Sequence, residues 1–457
     1  MPKATRLNRR DALRGLRGGF VLRPGLIAMA LAAAAVTLAA AEQRIATVKA
    51  WSDLLDRIFP PEPEAARIVL GTIAGSMITV VSVVYSILLV ALTFTSAQFS
   101  PRVLVAFVED RVSQTTLGIF VGTFAYCLLT LPAVRGGPAP FVPSIAVVGA
   151  MGLAIACMAC LLYFIHHIAE SIQAGHIVDR IARETEWALD QLFTIAPEDA
   201  ARGDEPAMVR PGLPVFSAAC GYIRTVDEEG LLATARAHRV AIRVDRSIGQ
   251  FISEGALLLE VGGSGPVSAD LEAACRQAFE IGPVRTMEQD VEFGVLQIVD
   301  IALKAISPAV NDPTTATTCL DQLGRILLRA SLRWPVGPTL RDPEGMVRLV
   351  VQRTSFPRLL DVAFSQIRHY GKADVAVPLR MMRILGELAA ASGHAPHAAV
   401  ILEQARRLAA ACERGFPEDD RAELDDRLAV VERRAEAVLA PEPRLGPEPG
   451  ASGTGGG

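Results

Sequence analysis

Lysine is almost missing from this 457-residue chain, with none between Lys49 and Lys304. A carrier module holds its biotinyl or lipoyl group on a lysine, so covalent cofactor attachment is excluded over that whole stretch. No G-x-S-x-G, H-E-x-x-H, Walker loop or G-x-G-x-x-G occurs. The common hydrolase, zinc and nucleotide chemistries therefore lose their usual signals, and no cofactor is expected. The 7 cysteines are odd in number and scattered, which excludes an extracellular disulfide framework. Cys157 and Cys160 form a C-x-x-C, but inside an apolar run, where packing is the reading to prefer over redox work. A net charge of -4 gives a polyanion no reason to bind, so no nucleic-acid partner is expected. What the chain has is apolar side chains. At 51% hydrophobic with mean hydropathy +0.34 it is too apolar for an ordinary soluble enzyme, and a lipid bilayer is its expected surroundings.

Four stretches are long enough to cross that bilayer, which takes about 17 to 25 residues. Pro24 to Ala41 carries no charge and follows a tail rich in Lys and Arg, Lys3 to Arg23. An alternative stays open there, because NRRDALR loosely resembles a twin-arginine export signal and Ala39 to Ala41 would suit cleavage. Ile68 to Pro101 is uncharged and longer than a perpendicular span requires, so its end, TFTSAQFS, is expected to leave the bilayer as an interfacial turn. Val112 to Val134 is the third span, and Gly136 to Ile165 contains the fourth. Gly71 with Gly75 and Gly118 with Gly122 are G-x-x-x-G pairs, which let backbones approach in lipid. None of the four stretches so bounded contains Asp, Glu, Lys or Arg, which argues against an ion-coupled pump. A passive pore would instead be lined by hydroxyls such as Thr72, Ser76, Thr79, Ser82, Ser86, Thr93 and Thr95. The basic tail predicts a cytoplasmic N-terminus and, after four crossings, a cytoplasmic remainder. The expected location is a bacterial inner membrane.

From Ile168 to Phe193 the pattern is a charged helix leaving the membrane, with His166, His167 and His176 near its surface in no spacing that matches a zinc site. Residues 168–214 are read as this helix and a linker. Val215 to Gly263 then alternates like strands around a short helix near Glu228 to Arg236. IGQFISEGALLLEV resembles the closing strands of biotinyl and lipoyl carriers, so a small β-barrel-like module is expected over 215–263. Met346 to Gln352 reads as a further strand, and the rest of 332–440 is helical by pattern. The last helix, Pro417 to Leu439, is strongly charged and is expected to face solvent or another subunit. Residues 441–457, rich in Pro, Gly and Glu, are expected to be disordered.

Polar and apolar signals converge within residues 264–331. Val291, Val295, Ile298, Ala302 and Ala305 mark one face of a helix that should point into a core. Asp300 stands one turn before Lys304, within pairing reach. Ser307 must end the helix, because Pro308 biases its predecessor away from the α region. After Asn311, Asp312 suits the N-cap of a second helix opened by Pro313, with Thr314 and Thr315 crowding its first turn. Two readings of that turn stand side by side: a capped structural turn, or a helix N-terminus holding a small anion or ion.

With AQFSPR (Ala97 to Arg102, including Gln98, Ser100 and Pro101) and QDVEFGVLQIVDIALKAISPAVNDPTTA (Gln289 to Ala316, including Asp290) both in view, the chain resembles the domain of unknown function 2254 family of predicted bacterial membrane proteins. The resemblance implies architecture and carries no biochemical activity. The expected fold class is an α-helical membrane domain of four spans (24–167) plus a cytoplasmic α+β domain with a small β-barrel-like module and a helical C-terminal region. Function is expected to be an oligomeric pore or transport-type protein with a cytoplasmic sensing domain. The alternatives are a membrane-anchored scaffold or sensor without a pore, and a membrane-bound enzyme using the Asp290, Asp300 and Asp312 carboxylates. A homo-oligomer is expected, and Arg102 is expected to meet the signature turn, Asp290 or Asp300, coupling spans to domain.

Overall fold

In the computed structural model the described residues are 22–45, 62–98, 110–137, 140–171, 173–194, 212–262, 268–335, 338–413 and 415–440. The chain divides into two compact units, Met1–His176 and Ile177–Gly457. The described part of the first unit holds four helices long and apolar enough to cross a membrane. They are α1 (Leu22–Arg44), α2 (Pro63–Gln98), α3 (Arg111–Thr130, continued by a 3-10 turn to Ala133) and α4 (Ser144–Ser171).

Helix α3 is the central one, packed by the other three. Its Gly118 and Gly122 supply the close approach: a Cβ at Gly118 would stand 2.9 Å from Pro24 Cα, and one at Gly122 2.5 Å from Leu31 Cδ1. That G-x-x-x-G pair is therefore consumed inside the chain, against α1. Gly71 and Gly75 on α2 have open space where a Cβ would be. The interior between the helices is filled by apolar groups, among them Leu70, Val84, Phe120, Tyr126 and Phe164. Helix α2 continues through Gln98, so TFTSAQ, expected to turn, is helical; Phe99 to Arg102 lie outside the described residues.

Helix α1 also runs three residues beyond the expected span end at Ala41. The extension buries Glu42 to 2% exposure, and its Oε1 accepts the Ala146 N–H at 2.9 Å. A carboxylate from one helix thus serves a free N–H in the first turn of another, the place where a helix end favours negative charge.

The second unit begins with α5 (Ala174–Leu192, counted here from Ile177), which leads into β1 (Phe193–Thr194). Then come β2 (Leu213–Phe216), β3 (Gly221–Val226), α6 (Glu228–Ala237), β4 (Ala241–Val244), β5 (Phe251–Ile252), β6 (Leu257–Gly262), α7 (Ala269–Gln277) and β7 (Phe279–Gly282). The signature pair is α8 (Val291–Ala305) and α9 (Pro313–Ser331), followed by β8 (Trp334–Pro335), β9 (Thr339–Arg341) and β10 (Val347–Val350). Helices α10 (Phe356–Gly371), α11 (Ala376–Ala391), α12 (Ala395–Cys412) and α13 (Glu418–Leu439) complete the unit. Side-chain caps start several of these helices where the sequence places them: Asp227 for α6, Ser268 for α7 and Ser355 for α10.

The β region corrects the barrel expectation. Its strands form a five-stranded sheet ordered β2-β6-β4-β10-β9 and a separate three-stranded sheet ordered β5-β3-β7, with no closure between the ends. The reason lies in where the strands come from. Of the five strands within 215–263, β3 and β5 go to the smaller sheet, and β5 has only 2 residues. The larger sheet is completed from far along the chain: β10 pairs parallel to β4, placing Leu349 beside Ile242. Alternate residues of both sheets, such as Val215, Ile223, Ile242, Leu259 and Leu349, share one core with Leu231 and Leu271 of α6 and α7.

Helix α13 is less solitary than its charge suggests. Leu424, Val431 and Ala435 are buried, and Arg427 and Arg434 donate to the Leu379 and Gly386 carbonyls of α11. Long arginines here pack their stems and use their heads as helix-to-helix hydrogen bonds.

Candidate functional site

The signature opens on a buried ion pair. Asp290 is the N-cap of α8 and accepts the Phe293 N–H at 3.0 Å. The same carboxylate is held in two places by Arg285, Nε to Oδ2 at 2.8 Å and Nη2 to Oδ1 at 2.9 Å. The guanidinium stacks 5.1 Å from the Phe293 ring centroid. Gly249, with φ +82°, lays its backbone on the pair, and a Cβ there would overlap Asp290 Oδ2. A left-handed glycine is what lets a turn come that near. Burial pushes the Asp290 carboxyl above its ordinary value in spite of the Arg285 guanidinium beside it. Neighbouring Gln289 accepts the Val226 N–H at 3.0 Å, tying the start of α8 to β3.

Along α8 the expected core face is the core face: Val291, Val295, Ile298, Ala302 and Ala305 are all buried. Gly294 meets α5, where a Cβ would overlap Thr185 Oγ1. Asp300 is half-buried and Lys304 exposed, one turn apart.

The turn then closes as its sequence specifies. The Ser307 carbonyl accepts the Val310 N–H at 3.0 Å and the Asn311 N–H at 2.9 Å, and the Ser307 hydroxyl donates to Lys304 O at 2.7 Å. Asn311 adopts φ +49°, a conformation asparagine tolerates better than most residues. Asp312 donates its N–H to Ala305 O and caps α9, its carboxylate accepting from the Thr315 N–H at 3.0 Å and the Thr315 hydroxyl at 2.5 Å. Those two bonds hold the Asp312 carboxyl below the usual range. The Thr317 and Thr318 hydroxyls both donate to Thr314 O. The α9 N-terminus is thus served by the chain's own carboxylate, and a further anion would meet like charge there. Asp290 caps the start of α8 and Asp312 the start of α9, with the 15-residue α8 of about 1.5 Å rise per residue between them, so they do not form a working pair of carboxylates.

One arrangement escaped sequence reasoning altogether. Arg325, Arg329 and Arg333 follow one another at four-residue spacing along and just past α9, facing Asp179, Glu186 and Asp190 of α5. Arg325 binds Glu186 in two places, at 2.9 and 2.5 Å, and also reaches Asp179 at 3.1 Å. Arg329 binds Asp190 in two places, at 2.9 and 2.5 Å, and Arg333 adds a third bond to the same carboxylate. Each stripe was visible as a helical period, but no local signal pairs groups about 140 residues apart. The helix that follows the fourth span is therefore fastened to both signature helices, to α8 at Gly294 and to α9 by this ladder.

Gln98 is the last residue of α2, and Ser100, Pro101 and Arg102 lie outside the described residues, so the expected meeting of Arg102 with the turn falls there too. In the first unit, Asp110 caps α3 through Ser113 and its Oδ1 stands 3.2 Å from His167 Nε2. Although burial works against it, the Ser113 bonds and His167 hold the Asp110 carboxyl below its usual range. No group of three metal-ligating side chains comes together among the described residues.

The described geometry covers the second signature stretch and the four apolar helices, and a family of predicted membrane proteins matches. The model of the predicted membrane proteins termed DUF2254 covers residues 17–387. The chain belongs to the DUF2254 family. Its similar relatives include the uncharacterized proteins Rv1290c of Mycobacterium tuberculosis and Mb1321c of Mycobacterium bovis. Each is 33% identical over 406 residues, covering 85% of this chain and 77% of the relative. No solved structure matches. The DUF2254 model ends within α11, so α12 and α13 lie beyond the matched stretch.

Proposed function

We propose that this DUF2254 protein assembles as a homo-oligomer in a bacterial inner membrane and forms a passive polar path between its copies. The second unit faces the cytoplasm and biases that assembly. The observation that carries the reading is the outer face of α2. Thr72, Ser76, Thr79, Ser82, Ser86 and Thr93 are all exposed, on the side away from the buried Leu70, Ala74, Met77, Val84 and Leu88. Gly71 and Gly75 lie on the same open side. These six hydroxyls therefore face away from the interior of one four-helix unit, whose buried polar groups include Thr116, Thr123 and Thr130 of α3. Small and hydroxylic residues facing outward from a span are the groups that draw helices together in lipid. Orientation rests on the basic tail, Lys3 to Arg23, and the positive-inside rule.

A second reading has its own support. The Thr72, Ser82, Ser86 and Thr93 hydroxyls already donate to the carbonyls four residues back, at 2.7 to 3.0 Å. Groups so satisfied need no water, which suits a closed oligomeric scaffold. The two are separated by cross-linking Ser82→Cys in membranes, with Ile155→Cys on α4 as the control, and by ion flux through liposomes holding the wild type and Ser82→Leu. Cross-links at Ser82→Cys with flux that Ser82→Leu abolishes support the path. Cross-links without flux support the scaffold, and no cross-link at Ser82→Cys sinks both.

A further inference from the structure

Helix α5 has an outer face that nothing described covers. At 3.6 residues per turn, His176, Arg180, Arg183 and Trp187 fall on one stripe, opposite the buried Val178, Ala182, Thr185 and Leu189. Trp187 is 59% exposed, an uncommon cost for the largest side chain unless a partner takes it. Arg183 reaches back to Asp179 at 3.0 Å with its side chain 64% exposed. No carboxylate of the described residues pairs with Arg180, and its Nε is buried without a hydrogen-bond partner. Of the neighbouring acids, Glu186 and Asp190 face the arginines of α9, Asp179 is shared between Arg183 and Arg325, and the exposed Glu184 borders the stripe. Two arginines leading to an exposed tryptophan remain.

We propose that this stripe lies on the bilayer surface, with Arg180 and Arg183 at anionic headgroups and Trp187 sunk in the interfacial layer. Two arguments point to a bilayer as the occupant. The first is continuity, since α4 ends at Ser171 and α5 starts at Ala174. The second is chemistry: tryptophan prefers the membrane interface, and each basic side chain there is drawn to anionic lipid.

The test uses the full-length protein in phosphatidylcholine nanodiscs with and without phosphatidylglycerol. Subtracting the emission of Trp187→Phe isolates the Trp187 share, and two quenchers read it: a lipid nitroxide high on the acyl chain and aqueous acrylamide. The expected result is strong lipid quenching, greater with phosphatidylglycerol. Arg180→Gln and Arg183→Gln should each lower the bound-to-free ratio of the stripe by about fivefold, the factor for one basic group at an anionic surface. Raised salt should do the same to the wild type without any substitution, which keeps the test valid if a variant misfolds. Quenching by acrylamide alone in anionic discs overturns the proposal. So does shielding from both quenchers, which would mean a protein partner covers Trp187, or lipid quenching indifferent to charge and salt.

Discussion

Removing one partner of a buried ion pair costs more than removing both, and Asp290 with Arg285 is placed to show it. The side chains are 4% and 17% exposed, and Gly249 seals them. Asp290→Ala strands a buried guanidinium and unmakes the α8 cap, so it should cost about 3 to 5 kcal/mol in denaturant unfolding of detergent-solubilised protein. Arg285→Met with Asp290→Met together should recover a good part of that loss. A double variant as weak as Asp290→Ala would show that the cap, rather than the stranded charge, dominates. The pair was not legible in sequence, because Asp290 reads equally well as a plain cap, and Gly249 enters only through the fold. Asp312, by contrast, was legible: its cap uses residues within three positions, in an order that helix starts prefer.

His397 supplies a pH dependence at the same scale. It is buried against the Phe356 ring, with centroids 4.5 Å apart, and beside His394 at 4.7 Å. Burial first, then His394, pushes its pKa down to about 4. In the unfolded chain an imidazole titrates near about 6.5. Between those values the unfolded chain binds a proton that the folded chain refuses, so stability is full above the higher value and drains as pH falls toward the lower one. The thermal midpoint of the wild type should therefore drop over that window, and His397→Leu should lose this part of the drop. Equal slopes in the two proteins would refute the assignment.

At the scale of elements, glycines separate packing within the chain from surfaces left open. Gly122 and Gly294 sit where a Cβ would collide with Leu31 and with Thr185, whereas Gly71 has open space. Gly122→Val and Gly294→Val should each destabilise by about 1 to 3 kcal/mol, the range for overpacking a filled site. Gly71→Val should leave the monomer's unfolding unchanged and weaken association between copies, read as the cross-linking yield at Ser82→Cys. A large loss of monomer stability in Gly71→Val would show that α2 is covered within the chain. The apolar spans and the helix-turn-helix of the signature were readable because their signals are local and periodic. The sheets were not, since β7 and β10 join strands that precede them by tens of residues or more. Periodicity can name a strand but cannot choose its neighbour.

For the whole molecule, the question is where the second unit can be cut from the spans. Helix α5 looks like a connector in sequence, yet Ile177, Val178, Ile181 and Leu189 are buried to 3% exposure or less. Burying four such side chains is worth about 1.5 to 3 kcal/mol each, an upper estimate of roughly 6 to 12 kcal/mol. That is comparable with the whole stability of an ordinary domain, about 5 to 15 kcal/mol. The arginine ladder adds less, because its guanidiniums are 20% to 41% exposed and partly screened; it sets the alignment of α5 along α9. A fragment starting at Ala174 should thus melt cooperatively, while one starting at Gly212, with the same sheets and C-terminal helices, should expose the α8 surface around Gly294 and aggregate. Light scattering and calorimetry on the two fragments decide it. If the shorter fragment folds as well as the longer, α5 is a tether rather than part of the core. If it fails, α5 belongs to the folded body of the second unit, held there by its buried apolar face and aligned along α9 by the arginine ladder.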